Sequence, residues 1–174
     1  MASGSEHSES MSVGDNIVQV LVTAQDGTQK TYTVSITRLA PSVTVASSMA
    51  TFTACSGTAS PAQNFTVSGE NLADNVTVTA PAGYEVSATS ATEAFSGSVT
   101  LSHASGTLSS ASVYVRLRSD ASGSPGGNIS ITTTGAAGHT VAVTGTVNAA
   151  APIPQIYGES SLCTGNRILL TAKG

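Results

Sequence analysis

The 174-residue sequence predicts an all-β protein, an antiparallel sandwich or barrel of many short strands. Apolar and polar residues alternate at period two in one segment after another, and the apolar positions favour Val, Ile, Phe and Tyr. Clusters of Gly, Pro, Asn, Asp and Ser punctuate these segments at hairpin spacing. No window carries the 3.6-residue apolar period of a helix over a useful length.

The first element is a hairpin. Val18, Val20 and Val22 alternate with Gln19, Leu21 and Thr23, and Tyr32, Val34 and Ile36 alternate with Thr31, Thr33 and Ser35. Asp26-Gly27 supplies a turn able to take positive φ. The hairpin is expected over 16–38, after a polar leader or truncated segment at 1–15. Alone, two strands are marginal in water. Leu39 to Pro41 reads as a linker, after which Ser, Thr, Ala and Gly dominate. Strands are then expected at Ser42–Ala46, Gln63–Ser68, Asn75–Thr79, Tyr84–Ala88, Ser98–His103, Ser112–Arg118, Gly127–Thr133 and His139–Asn148, with Phe52 on a further short one. A single turn is expected at most around Glu70–Ala73, where Leu72 can plug one end of the core. The inward face reads as Val43, Val45, Phe65, Val67, Val76, Val78, Tyr84, Val86, Val99, Leu101, Val113, Val115, Leu117, Ile129, Ile131, Val141, Val143 and Val147. The core unit is thus expected over 41–148. Ala149 to Pro154 marks a second boundary, and 152–174 restarts a strand–turn–strand pattern.

Composition narrows the function classes. Only 9% of residues are charged, against about 25% in an ordinary soluble domain, so Ser, Thr, Asn and Gly must carry solubility. Leu, Ile, Val and Phe are sparse, at roughly 20%. The net charge of -4 is too small to favour disorder by repulsion. There is no Lys/Arg cluster for nucleic acid and no apolar run of the ~18 residues a membrane span requires. The first ten residues lack the basic and apolar regions of a signal peptide.

Two stretches carry resemblances. "SVGDNIVQVLVTAQDGTQKTYTVSITR" resembles the closing hairpin of the bacterial cadherin-like β-sandwich repeat, which implies that 16–38 is the last part of such a domain. The acidic clusters that bind calcium in true cadherins are absent. "FTVSGENLADNVTVTAPAGYEVS", "SVTLSHASGTLSSASVYVRL" and "GNISITTTGAAGHTVAVTGTV" are similar to an Ig-like repeat of large secreted or surface proteins of gliding and gut Gram-negative bacteria. That resemblance implies a Greek-key, Ig-like sandwich over 41–148. "SLCTGNRILLTAKG" looks like the opening of a further Ig-like domain, in which Cys163 would pair with a cysteine on a later strand. Together these imply tandem extracellular sandwiches, whose partners are neighbouring β-sandwich domains of the same polypeptide, and beyond them glycans or another cell-surface protein.

The residues offer little chemistry. No G-x-S-x-G nucleophile elbow occurs. His7, His103 and His139 are scattered, without zinc spacing. Asp15, Asp26 and Asp74 fall at turns, where Asp bonds its own backbone. No enzyme, cofactor or metal is expected. The one candidate ligand face is on "VYVRLR". With Val113, Val115 and Leu117 inward, Tyr114, Arg116 and Arg118 point outward and can stack on and hydrogen-bond a sugar or an acidic partner. The alternative is that Tyr114 and Arg116 pack against neighbouring strands. Cys55 is expected to be a small buried apolar residue. The leading expectation is a non-catalytic spacer of an adhesin-like stalk, outside the cell. The other is a carbohydrate-binding accessory module of a secreted polysaccharide-degrading enzyme.

Overall fold

The structure, a computed structural model, describes residues 8–149, 155–157 and 171–173. The described residues contain strands and no helix. The strands are β1 (Gly14–Thr23), β2 (Gln29–Arg38), β3 (Ser42–Ala46), β4 (Phe52–Cys55), β5 (Gln63–Glu70), β6 (Val76–Thr79), β7 (Tyr84–Ser87), β8 (Ser98–Leu101), β9 (Leu108–Leu117), β10 (Gly126–Thr132), β11 (His139–Asn148), β12 (Gln155–Tyr157) and β13 (Thr171–Lys173). The last two pair antiparallel. Most of the restart expected at 152–174, Cys163 included, lies outside the described residues.

The central unit is a two-sheet sandwich. One sheet runs β3-β5-β9-β7 and the other β4-β11-β10-β6-β8. The first of these, with β11-β10-β6 of the second, reproduces the strand order of an Ig fold. All pairings are antiparallel except β4–β11, which is parallel. The chain crosses between sheets for β7 and returns for β8, so these two edge strands are not neighbours in one sheet. The long strands β5, β9, β10 and β11 lie inside the sheets. The edges β3, β4, β7 and β8 have five residues or fewer.

The inward alternation is as expected. Phe65, Val67, Val76, Val78, Val86, Val113, Val115, Leu117 and Ile129 are fully buried in one cluster, and Val45, Val99 and Val147 pack against its margin. Phe52 joins from β4 and meets Tyr84 of β7 edge-on, with ring centroids 5.5 Å apart. That contact bridges the two sheets. Leu72 plugs one end, as expected, but from a bend and not a helical turn. A bulge between Val67 and Gly69 shifts the β5–β9 register there. Gly69 suits that position, because a Cβ would lie 2.9 Å from the Ser42 carbonyl oxygen and 3.0 Å from Leu72.

The sandwich has two poles. At one lie Pro41 beside Gly135, the Leu72 plug, and Asp74, whose carbonyl accepts from Thr133 Oγ1. At the other lie Ser60, Leu117, Pro125 and Asn148. There the Leu117 N–H donates to Ser60 Oγ (2.9 Å), and the amides of Gly145 and Val147 donate to the carbonyls of Pro125 and Gly123. β3 starts at the first pole, where Ser42 pairs with Glu70. β11 runs away from that pole and ends at Asn148 on the second. The chain therefore passes into the sandwich at one end and out at the other, about 30 Å apart over the ten residues of β11.

The hairpin β1–β2 is a separate feature. Its strands pair with each other over ten residues each and with no other described strand. The turn is fixed by Gly27 at φ 85° and by Asp26, which accepts from the Thr28 amide (3.0 Å) and hydroxyl (2.6 Å). These bonds hold the Asp26 carboxyl below its ordinary value. Residues read as leader are joined to the hairpin: Asn16 exchanges two hydrogen bonds with the Ser12 backbone, and Arg38 donates to the Met11 carbonyl.

Candidate functional site

The candidate face is the outer side of the sheet β3-β5-β9-β7. With Val113, Val115 and Leu117 inward, Tyr114 and Arg116 do face outward on β9. Tyr114 lies half-buried between Asn64 of β5 and Ser87 of β7. Arg116 is already occupied. Its Nε donates to Glu85 Oε1 at 2.7 Å, and its guanidinium carbon sits 3.8 Å from the centre of the Phe95 ring. An ion pair and a cation–π contact thus fall on one side chain.

Phe95 is held there by a self-satisfied loop. Ser87, fully buried, is the hub: its Oγ accepts from the amides of Thr89 and Ser90 and donates to the Glu93 carbonyl. Ser90 Oγ then accepts from the amides of Thr92 and Glu93. Ala94 turns the chain at φ 57°, and Ser96 pairs in both directions with Val86. The loop so covers the outer face beside β7, and the part of it next to Arg116 is no open platform.

Arg118 departs from the expectation. β9 ends at Leu117, so Arg118 belongs to the turn at the second pole and not to the strand face. Its guanidinium grips Asp120 through two bonds of 2.9 Å each. A shallow depression of about 540 Å³ lies there, lined by Gly83, Arg118, Asp120, Ser124 and Pro125 among others. Tyr114, Arg116 and Arg118 therefore do not converge on one point. Period two puts Glu85 on the outward face, but its place opposite Arg116 comes from the β7–β9 register, and Phe95 comes from a loop and carries no sequence signal. No cluster of three or more His, Cys, Asp or Glu occurs among the described residues.

Cys55 corrects an expectation too. Phe52 and Ala54 point into the core, so by alternation Cys55 points out, and it is an exposed free thiol. It stands opposite Asn148 at the second pole.

One comparison bears on the hairpin. Residues 2–39 match the profile of the cadherin-like beta sandwich domain. The same segment carries an unusual surface. Val18, Val20, Val22, Tyr32, Val34 and Ile36 share one face of β1–β2, and Val20, Val22, Tyr32 and Val34 are each about half exposed. In a sandwich, that face is the one that packs on a second sheet. A solved structure of surface layer protein SbsC, domains 1-6, is also similar, at 16% identity and a TM-score of 0.34, over 90% of this chain. The chain spans 24% of the length of that structure. No curated protein matches.

Proposed function

We propose that this chain is a non-catalytic spacer from a multidomain extracellular or cell-surface protein, in the manner of an adhesin stalk. The observation that carries this reading is the passage of the chain through the sandwich from pole to pole. A module with its termini at opposite ends extends a string of domains, here by about 30 Å, whereas one with adjacent termini folds the string back. The cadherin-like match over residues 2–39, immediately before the sandwich, supports the reading, since a further β-sandwich on the same polypeptide is what a string of domains requires. The outer surface supports it further: Ser and Thr dominate, and Arg116 and Arg118 are both engaged within the chain.

The test is a retention screen of the chain on soluble and insoluble polysaccharides. The spacer reading expects no retention. Arg116→Ala is then a stability variant, with a loss of about 1–2 kcal/mol from the partly buried ion pair and its stacking, read by urea unfolding. Retention on one polysaccharide, abolished by Tyr114→Ala with Arg116→Ala in a still-folded protein, would instead make the sandwich a carbohydrate-binding accessory module.

A further inference from the structure

The hairpin β1–β2 presents two unlike faces. On one, Val20 stands opposite Tyr32 and Val18 opposite Val34, with Val22 opposite Lys30 and Ile36 opposite Asn16 at the two ends. On the other, each apolar residue meets a hydroxyl: Ile17 stands opposite Ser35 and Leu21 opposite Thr31. Only the first face is apolar in an unbroken row. At its base end, Met11 and Ser12 come against Val18, Val34 and Ile36 around a depression of about 490 Å³ that Glu9 and Asp15 also line. At its turn end, Val20, Val22 and Tyr32 are about half exposed.

Two strands of ten residues make a face about 34 Å long and about 10 Å wide, on the order of 350 Å². A hairpin is marginal in water until a further layer covers its apolar side. A second hairpin of the same sequence has the same dimensions and the same apolar row, so it fits as that layer, about 10 Å away as sheets pack in a sandwich. The pair would bury on the order of 700 Å², short of the roughly 1,200 Å² of stable complexes, so the contact is weak and reversible. Charge sets its direction. Lys30 lies at the turn end, its ammonium 5.1 Å from the centre of the Tyr32 ring. Glu9 and Asp15 line the base end beside Arg38, which makes that end net negative among the described residues. Facing hairpins that run in opposite directions set each Lys30 over the base end of the other copy. Running the same way would set the two lysines together.

We propose that the apolar face of β1–β2 is a self-association surface, on which a second copy of this chain lays its own hairpin face to face and antiparallel about a twofold axis. Such a contact is isologous, so each residue of the patch serves both copies. A patch of this size is at the level that monomers use for contacts. The pairing belongs to the hairpin alone and stands apart from the spacer reading.

Sedimentation equilibrium of the full chain, from about 5 μM to about 1 mM, tests this across the range of weak protein contacts. A reversible dimer with a Kd on the order of 100 μM is expected. Val20→Thr with Val34→Thr keeps β-branched strand formers but removes apolar surface from the centre of the face. This pair should weaken association by about tenfold or more. Leu21 is 58% exposed, against 48% for Val20 and Val34, but lies on the opposite face. Leu21→Thr should therefore leave the Kd within about twofold of the parent. Lys30→Glu should raise the Kd, and by less at high salt. It leaves every apolar residue in place, so it serves as the test if the threonine pair loosens the hairpin itself. A monomer at every concentration, or a dimer indifferent to all these variants, overturns the surface. Equal weakening by Leu21→Thr and the threonine pair also overturns it, in favour of strand addition along the free edges. Tighter association of Lys30→Glu overturns the antiparallel arrangement.

Discussion

Among the glycines of the sandwich, Gly145 leaves the least room for a side chain. A Cβ there would lie 2.7 Å from the Tyr84 hydroxyl and 3.0 and 3.1 Å from the two Leu117 methyls. Gly145→Ala should cost about 2–3 kcal/mol by overpacking, measured by urea unfolding. Tyr84→Phe in the same background should recover part of that loss, because it removes the nearest atom. Tyr84 carries a pH signature as well. It is 2% exposed, and its hydroxyl donates to the Pro125 carbonyl at 3.1 Å. Burial pushes its phenol above the ordinary value of 10.0. The folded state therefore favours the neutral phenol. That contribution is fully present below pH 10 and is lost as pH rises through the elevated folded value. The unfolding free energy of the parent should fall more steeply above pH 10 than that of Tyr84→Phe. At this scale the sequence was informative where alternation was unbroken. Val113, Val115 and Leu117 face inward as read, whereas Cys55 points out because Phe52 sets the phase of its strand. Arg116 was placed on the correct face, but the ring that stacks on it arrives from a loop whose path only its hydrogen bonds determine.

Among the elements, β1–β2 and the sandwich strands differ in what holds them. β5, β9, β10 and β11 are hydrogen-bonded on both sides and bury one face in the common core. β1 and β2 have each other, an open apolar face, and an anchored N-terminal stretch. Amides of β1 and β2 should exchange with deuterium orders of magnitude faster than those of β9 and β10 in a monomer, since local opening there exposes little that was buried. Equal protection in both, with the chain shown to be monomeric, would mean that the hairpin docks on something in the chain. Strand identity was legible at this scale and strand extent less so. β3 and β11 begin and end where expected. β9 starts four residues before the expected Ser112, because the extra residue of the bulge lies in β9 between Leu108 and Ala111 and breaks the alternation that would have marked Leu108 as inward. The exchange of sheets at β7 and β8 left no trace in the sequence, since four-residue strands carry no register information.

For the whole molecule, the all-β class follows from composition and period, the choice of sandwich over barrel came from the Ig-like resemblance, and the two-sheet pairing order agrees with it. The route of the chain from pole to pole was not legible, because it depends on which edges β3 and β11 occupy. The low charge does have a readable consequence. The ion pairs Arg116–Glu85 and Arg118–Asp120 each lie within a local neighbourhood, so long-range electrostatics contribute little to holding the two sheets together.

The short edges of the sandwich have a consequence for production. Sandwiches strung on one polypeptide are held at millimolar effective concentration during synthesis, which is where neighbouring sheets are most prone to join each other by mistake. Each edge here offers five residues or fewer, too few rungs for a stable foreign strand. The ten-residue strands of the sandwich, β9 and β11, which would make good templates, are enclosed on both sides. Such a layout keeps the unit from tangling with neighbouring sheets as the chain leaves the ribosome.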